Sequence, residues 1–127
     1  MKQEKFSVRK RLKSFVHAFN GLRILIREEH NSRIHLLAAV IAIALGWCLH
    51  ISYQEWITVI LLIGFVFFAE LFNSSLEQLS DHLSPEKHEN IRKVKDLAAA
   101  AVLVSAMTSL IIGGIIFLPK IFKWMNW

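Results

Sequence analysis

The sequence predicts an all-α membrane protein with three transmembrane helices, preceded by an amphipathic helix on the membrane surface. Hydrophobic residues make up 54% of the 127 residues, and the mean hydropathy is positive, which excludes an ordinary soluble domain. Three apolar runs of membrane-spanning length follow a basic N-terminal segment. A single domain covering residues 1–127 is expected. The one cysteine, Cys48, cannot form a disulfide within the chain.

Residues 1–33 form a basic amphipathic segment. Nine of the fifteen lysines and arginines lie before residue 34. Apolar side chains recur there at helical spacing and share one face: Leu12, Phe15, Val16, Phe19, Leu22 and Ile26. This pattern predicts a helix on the membrane with its cations towards lipid phosphates, and nucleic acid is not an expected partner. A helix packed on its own bundle is the alternative.

The three transmembrane segments are predicted at residues 34–51, 56–72 and 97–118. The first has 18 residues, close to the minimum for a hydrocarbon core of about 30 Å. The second reaches spanning length only if it continues past Glu70, which places that carboxyl group at the membrane boundary. The third spans easily, and Pro119 is expected to end it.

The distribution of cations orients the chain. The basic segment 1–33 and the connection 73–96, a helix extension and loop, carry most lysines and arginines, whereas the short loop 52–55 has none. By the positive-inside rule, the N-terminus and the connection 73–96 are cytoplasmic. A helix restart is predicted at Ser84-Pro85, a hydroxyl N-cap followed by proline. The expected location is a cytoplasmic membrane, with the acids of the connection 73–96 facing the cytoplasm.

The polar stretch 70–81 follows the second apolar run without a turn signal, so one helix is predicted to continue through it. Its polar residues Glu70, Asn73, Glu77 and Asp81 fall within about 80° of one another around that helix. An ionisable group beside a transmembrane segment is costly and indicates a functional site by default. The alternative is that these side chains form the hydrated face of a helix that has left the membrane.

The acids suggest a division of labour. Glu70 and Glu77 lie about 10.5 Å apart along the axis, too far to hold one metal ion directly. Glu77 with an acid from the N-terminal segment would suit Mg²⁺ bound to nucleotide phosphates. Glu70 would act as a base on a membrane-dissolved hydroxyl, and Lys95 would neutralise phosphate charge. No nucleotide-binding loop or protein-kinase motif is present.

These residues alone fit a metal-assisted phosphoryl transfer to a lipid and an ion-transport path equally well. The remaining histidines show no metal-ligand spacing and are interpreted as interfacial polar residues: His30, His35, His50 and His82. A zinc site is therefore not expected.

The stretch 70–81 resembles the E-x-x-N-[ST]-x-x-E-x-x-x-D signature of the small bacterial membrane diacylglycerol kinases. The resemblance covers about residues 8–118. It extends to Gly21-Leu22-Arg23, Glu29, Glu86-Lys87-His88-Glu89, and Lys95-Asp96 followed by residues 98–103.

The resemblance implies a homotrimeric lipid kinase that uses ATP and Mg²⁺ and forms its active sites between subunits. Glu70 would be the general base for the lipid hydroxyl, supported by Asn73, and Glu29 and Glu77 would bind the metal. The residues implied for ATP binding are His17, Glu29, Glu77, Glu86, Lys87, His88, Lys95 and Asp96. Those implied for the lipid substrate are Lys10, Glu70 and Ala99.

The chain departs from the enterobacterial-type enzymes of this family at two of these positions. Lys10 and His17 stand where arginine and tyrosine are expected, which weakens the transfer of their roles, because lysine keeps the charge of arginine but loses its bidentate fork. The segments 29–35 and 83–86 look more like the branch whose members phosphorylate undecaprenol. They favour a polyprenol acceptor over diacylglycerol.

Overall fold

The computed structural model describes residues 5–83, 86 and 88–126, and it confirms the all-α prediction. Three of its four helices are long and apolar enough to cross a membrane, namely His30–Cys48, Tyr53–Leu83 and Glu89–Trp124. In chain order the helices are α1 (Val8–Glu28), α2 (His30–Cys48), α3 (Tyr53–Leu83) and α4 (Glu89–Trp124).

A single residue, Glu29, separates α1 from α2. Its backbone is extended, with φ −109° and ψ 113°, and its N–H donates to the Leu25 carbonyl over 3.0 Å. Arg33 closes the break from the other side, because its Nε donates to the Ile26 carbonyl over 2.8 Å and its guanidinium also bonds to the Arg27 carbonyl. The last carbonyls of α1 are thus satisfied by a cation, and Glu29 is held at the corner between two helices.

Helix α2 approaches α3 through small residues. Ser32, Ala39 and Gly46 recur every seven positions and are the buried residues of α2. A Cβ atom at Gly46 would lie 2.9 Å from the Trp56 ring, so a larger residue here would require the ring to move. The helices therefore meet closely along one face of α2.

A capping box starts α3. The Glu55 N–H donates to Ser52 Oγ over 3.2 Å, and the Ser52 N–H donates to Glu55 Oε1 over 3.0 Å. Most of the segment 52–55, expected as a loop, is thus the first turn of the helix, which begins at Tyr53. The connection instead consists of residues 49–52, where His50 takes a left-handed conformation with φ 51°.

Helix α3 is unbroken over 31 residues, which confirms the prediction of one helix through residues 70–81. At about 1.5 Å per residue it is longer than the hydrocarbon core, so its polar end extends beyond the segment 56–72. The restart predicted at Ser84-Pro85 lies outside the described residues. Helix α4 begins at Glu89, where His88 acts as the N-cap and its Nδ1 accepts a hydrogen bond from the Asn90 N–H over 3.3 Å.

The expectation that Pro119 ends the third span was wrong, because α4 continues through it to Trp124. Proline removes one helical hydrogen bond, but tertiary contacts hold the turn that follows. Lys120 Nζ lies 3.2 Å from Glu55 Oε1, and Ile121 packs against the buried apolar core at this end of α3 and α4. That core consists of Ile51, Val59, Ile116 and Phe117.

Candidate active site

The carboxyl group of Glu70 is almost completely buried, with 2% exposure, and two α2 side chains face it. Ser32 Oγ donates to Glu70 Oε2 over 3.2 Å, and Ser32 is itself fully buried. His35 Nε2 lies 3.1 Å from Oε1, an ion-pair distance, although the contact lacks the direction of a hydrogen bond. A buried carboxylate requires polar partners of this kind.

One turn of α3 carries three buried polar atoms that have no hydrogen-bond partner in the described part of the chain. These atoms are Glu70 Oε1, Asn73 Oδ1 and Ser74 Oγ. An unsatisfied buried polar group costs about 1–3 kcal/mol, so three in one turn mark this turn as a candidate binding site for a polar group. All three can accept a hydrogen bond from a hydroxyl group.

An apolar groove of about 500 Å³ runs between α3 and α4 beside this turn. Phe68 and Phe72 line it from α3, and Ala98 and Ala101 line it from α4. Asn73 is the polar residue on its wall. A groove of hydrocarbon character with one amide at its side fits a lipid chain that ends in a polar group.

The acids nearest the α1–α2 corner lie next to the polar end of α3. Gln78 Nε2 donates to Glu28 Oε2 over 3.2 Å, which brings the adjacent residues of both segments together. Burial raises the pKa of the Glu77 carboxyl, and the negative charge of Glu29 raises that pKa further. Glu77 lies beyond the predicted spanning segment 56–72, so this repulsion falls outside the apolar part of α3.

Glu29 and Glu77 fit a magnesium ion. In the described residues no three His, Cys, Asp or Glu side chains form a metal-binding group. Magnesium takes one or two protein carboxylates and completes its coordination with phosphates and water, which matches a pair of acids. A cation between them would relieve the repulsion that raises the pKa of Glu77.

Lys95 of α4 lies beside the same acids. Its amine forms an ion pair with Asp81, and that hydrogen bond raises the pKa of Lys95, with the charge of Glu77 adding to the effect. The two side chains are 39% and 66% exposed, so the amine is charged and accessible to an incoming phosphate.

None of the site contacts described above includes another predicted site residue. His17 lies on an exposed face of α1, and Ala99 and Asp96 lie on exposed faces of α4. Lys10 and Glu86 are also exposed, and His88 caps α4. Lys87 lies outside the described residues.

Sequence reasoning missed Ser32 and His35. Ser32 received no role, and His35 was interpreted as an interfacial polar residue. The available signal was their spacing of three, which puts both on one face of an otherwise apolar helix. That signal does not say which helix the face contacts.

Three helices of spanning length and acids at the polar end of α3 indicate a small integral-membrane protein whose candidate site lies where the apolar part of α3 ends. Residues 16–117 match the family model for prokaryotic diacylglycerol kinase. The chain belongs to this family of lipid kinases.

Three relatives illustrate the similarity. The chain is 41% identical over 109 residues to an undecaprenol kinase of Bacillus subtilis, covering 86% of this chain and 89% of the relative. It is 31% identical over 115 residues to a diacylglycerol kinase of Synechocystis, covering 90% and 66%. It is 26% identical over 100 residues to a diacylglycerol kinase of Escherichia coli, covering 79% and 82%. The predicted family and the prediction of a lipid kinase are confirmed.

Proposed function

We propose that the protein transfers the γ-phosphate of ATP to the hydroxyl group of undecaprenol, with Mg²⁺ as cofactor and Glu70 as general base. The observation that carries this proposal is the placement of Glu70. Its carboxyl group is buried where the apolar part of α3 gives way to the polar stretch 70–81, one oxygen accepts no hydrogen bond, and Asn73, one helical turn along α3, lines the apolar groove. The relative at 41% identity is an undecaprenol kinase, which supports a polyprenol over diacylglycerol.

At the lipid end, the acceptor chain lies in the groove between α3 and α4 and its hydroxyl reaches Glu70. Glu70 takes the hydroxyl proton as the oxygen forms its bond to phosphorus. Asn73, which lines the groove, supports this step, because its side-chain NH2 group can donate to the hydroxyl oxygen while the hydroxyl proton goes to Glu70. Lys10 and Ala99 contact the lipid from α1 and α4.

At the nucleotide end, Glu29 and Glu77 hold the Mg²⁺ that accompanies ATP. The ion supplies neutralisation of phosphate charge, and Lys95 adds a second positive charge beside it. The terminal bond of ATP breaks, ADP leaves, and the phosphoryl group ends on the lipid oxygen. Further nucleotide contacts are assigned to His17, Glu86, Lys87, His88 and Asp96.

The assembly we propose is a homotrimer with its sites between subunits and facing the cytoplasm. In α1, Phe15, Val16 and Phe19 are exposed, and Leu25 is the buried residue. This surface suits a helix that lies on the membrane with its cations towards lipid phosphates. The cation-free connection 49–52 supports the opposite side as the exterior.

The test supplies the purified full-length protein in detergent micelles with Mg²⁺, labelled ATP, and either undecaprenol or diacylglycerol. We expect labelled undecaprenyl phosphate. Glu70→Gln should abolish transfer and leave ATP binding intact. Glu55→Gln, at the other end of the same helix, is the matched control and should keep activity.

Labelled product from diacylglycerol alone would reverse the choice of acceptor. Full turnover by the Glu70→Gln variant would show that Glu70 is not the general base. If neither lipid stimulates ATP consumption and the protein conducts ions in liposomes, the proposal fails in favour of an ion path.

A further inference from the structure

We infer that Ser32 and His35 of α2 are positioning residues that fix the orientation of the Glu70 carboxylate for proton abstraction. This inference rests on the proposed role of Glu70 as the base. It assigns a role in the reaction to the face of α2 that contacts Glu70. That face carries none of the acids discussed above.

Each of the two side chains contacts a different oxygen of the Glu70 carboxylate. Ser32 Oγ donates to Oε2 over 3.2 Å, and His35 Nε2 stands 3.1 Å from Oε1. A glutamate side chain has three rotatable bonds, so a carboxylate without outside contacts samples several orientations. Two contacts from a different helix select one of them.

This division makes Oε1 the reactive oxygen. Oε2 is occupied by the Ser32 hydroxyl, whereas Oε1 accepts no hydrogen bond. A lipid hydroxyl that reaches Glu70 would therefore donate its proton to Oε1. His35 Nε2 lies beside that oxygen and limits the directions in which the carboxylate can turn.

The surroundings make the arrangement rigid. Ser32 is fully buried and Glu70 is 2% exposed, and the small residues of α2 bring the two backbones close together. Catalytic groups need their geometry held to within about 0.5 Å, and a misplacement of about 1 Å costs about 100-fold in rate. Losing either contact would release the carboxylate without changing the nucleotide end of the site.

A purely structural role gives different expectations. In that case the two side chains would only offset the cost of burying a carboxylate, and their loss would lower thermal stability without altering the turnover of the folded enzyme. The kinetic constants of folded protein distinguish the two roles, because positioning affects kcat while leaving the KM for ATP unchanged.

The test compares Ser32→Ala, His35→Leu and His35→Gln in full-length protein in micelles with Mg²⁺, ATP and undecaprenol, and then with diacylglycerol. We expect Ser32→Ala and His35→Leu each to lower kcat by about 10-fold to 100-fold. The KM for ATP should not change. Glutamine places an amide N–H near the position of the imidazole Nε2, so His35→Gln should restore most of the lost kcat.

Ser105→Ala is the matched control for the serine. Ser105 is also fully buried, but its hydroxyl donates to the Val102 carbonyl of its own helix over 2.7 Å. His50→Gln, at the far end of the membrane-spanning helices, is the control for the histidine. Both variants should keep the kcat of the unmodified protein.

The inference is overturned if His35→Leu and Ser32→Ala retain full kcat while Glu70→Gln is inactive, and the proposed function then stands. It is also overturned if the leucine and glutamine variants lose activity equally and in step with thermal stability. If the unmodified protein phosphorylates neither lipid, the proposed function fails, and the positioning role fails with it. Because Ser32→Ala removes one hydroxyl group, it provides a kinetic answer even if His35→Leu does not fold.

Discussion

Gln78 of α3 donates a hydrogen bond to Glu28, the last residue of α1, across 50 positions of sequence. This contact joins the polar end of α3 to the corner between α1 and α2. The residues adjacent to this pair in sequence, Glu77 and Glu29, are the proposed magnesium ligands. The same hydrogen bond therefore holds together two acids that repel each other without a cation.

Replacing Gln78 by leucine should weaken the response to magnesium. Contacts that orient metal ligands typically contribute 10-fold to 100-fold in metal affinity, and this one is exposed, so we expect the Mg²⁺ concentration for half-maximal activity to rise about 10-fold. The measurement is a Mg²⁺ titration of lipid phosphorylation at saturating ATP. Gln54→Leu, at the opposite end of α3, should leave the titration unchanged. Equal titrations for Gln78→Leu and the unmodified protein would contradict the role of this contact.

Replacing Lys95 by glutamine should weaken ATP binding while leaving the thermal stability of the protein nearly unchanged. An exposed ion pair contributes about 0–1 kcal/mol to folding, so losing the pair with Asp81 should leave thermal unfolding nearly unchanged. A hydrogen bond to a charged phosphate contributes about 1.5–3 kcal/mol, so the KM for ATP should rise about 10-fold or more.

The control for that variant is Lys93→Gln, an exposed lysine of the same helix, which should keep the ATP affinity of the unmodified protein. A Lys95→Gln variant with lowered thermal stability and an unchanged KM would indicate that the pair with Asp81 only joins α3 to α4.

Replacing Ala101 by phenylalanine should obstruct the apolar groove. Ala101 lines the groove opposite Phe68 and Phe72, and a phenyl ring there would occupy much of the space assigned to the lipid chain. We expect the KM for undecaprenol to rise several-fold while the KM for ATP stays constant. Ala106→Phe, in the next part of α4 and outside the groove lining, is the comparison. Loss of the oligomer with an unchanged KM for lipid would reassign the groove to a subunit interface.

The parts of the fold that follow from local pattern could be predicted from the sequence. The three spans follow from the length of the apolar runs. The continuity of α3 follows from the lack of any turn signal near Glu70, and the stripe of Glu70, Asn73 and Glu77 follows from helical periodicity. The capping box of Ser52 and Glu55 was equally readable, but it was overlooked because the segment was interpreted as an interfacial loop.

Contacts between helices could not be predicted in this way. Ser32 and Glu70 lie 38 residues apart, and neither helix carries a sequence pattern that identifies the helix it packs against. Pro119 shows the same limit, because its local preference to end a helix is outweighed by the packing of the next turn against α3. Tertiary packing decides such cases, and a single sequence does not express it.

The capping box also makes a pH-dependent contribution to stability at the end of α3 opposite Asp81. The backbone N–H of Ser52 lowers the pKa of Glu55 below its ordinary 4.5, and Lys120 lowers it further. Because the folded carboxyl binds its proton more weakly than the unfolded one, the stabilisation is present above the unfolded pKa and disappears as the pH falls through the folded pKa. The Tm of Glu55→Gln should therefore be lower than that of the unmodified protein at about pH 7, and the gap should narrow as the pH falls below 4.5. Thermal unfolding in micelles across this range of pH measures the gap in Tm.

Glutamine at position 55 can still accept the capping hydrogen bond, so the Glu55→Gln variant isolates the effect of the charge. Lys123→Gln in the last turn of α4 controls for loss of an exposed charge. A gap that persists in acid, or none at neutral pH, would show that the charge of Glu55 does not stabilise this end of the protein.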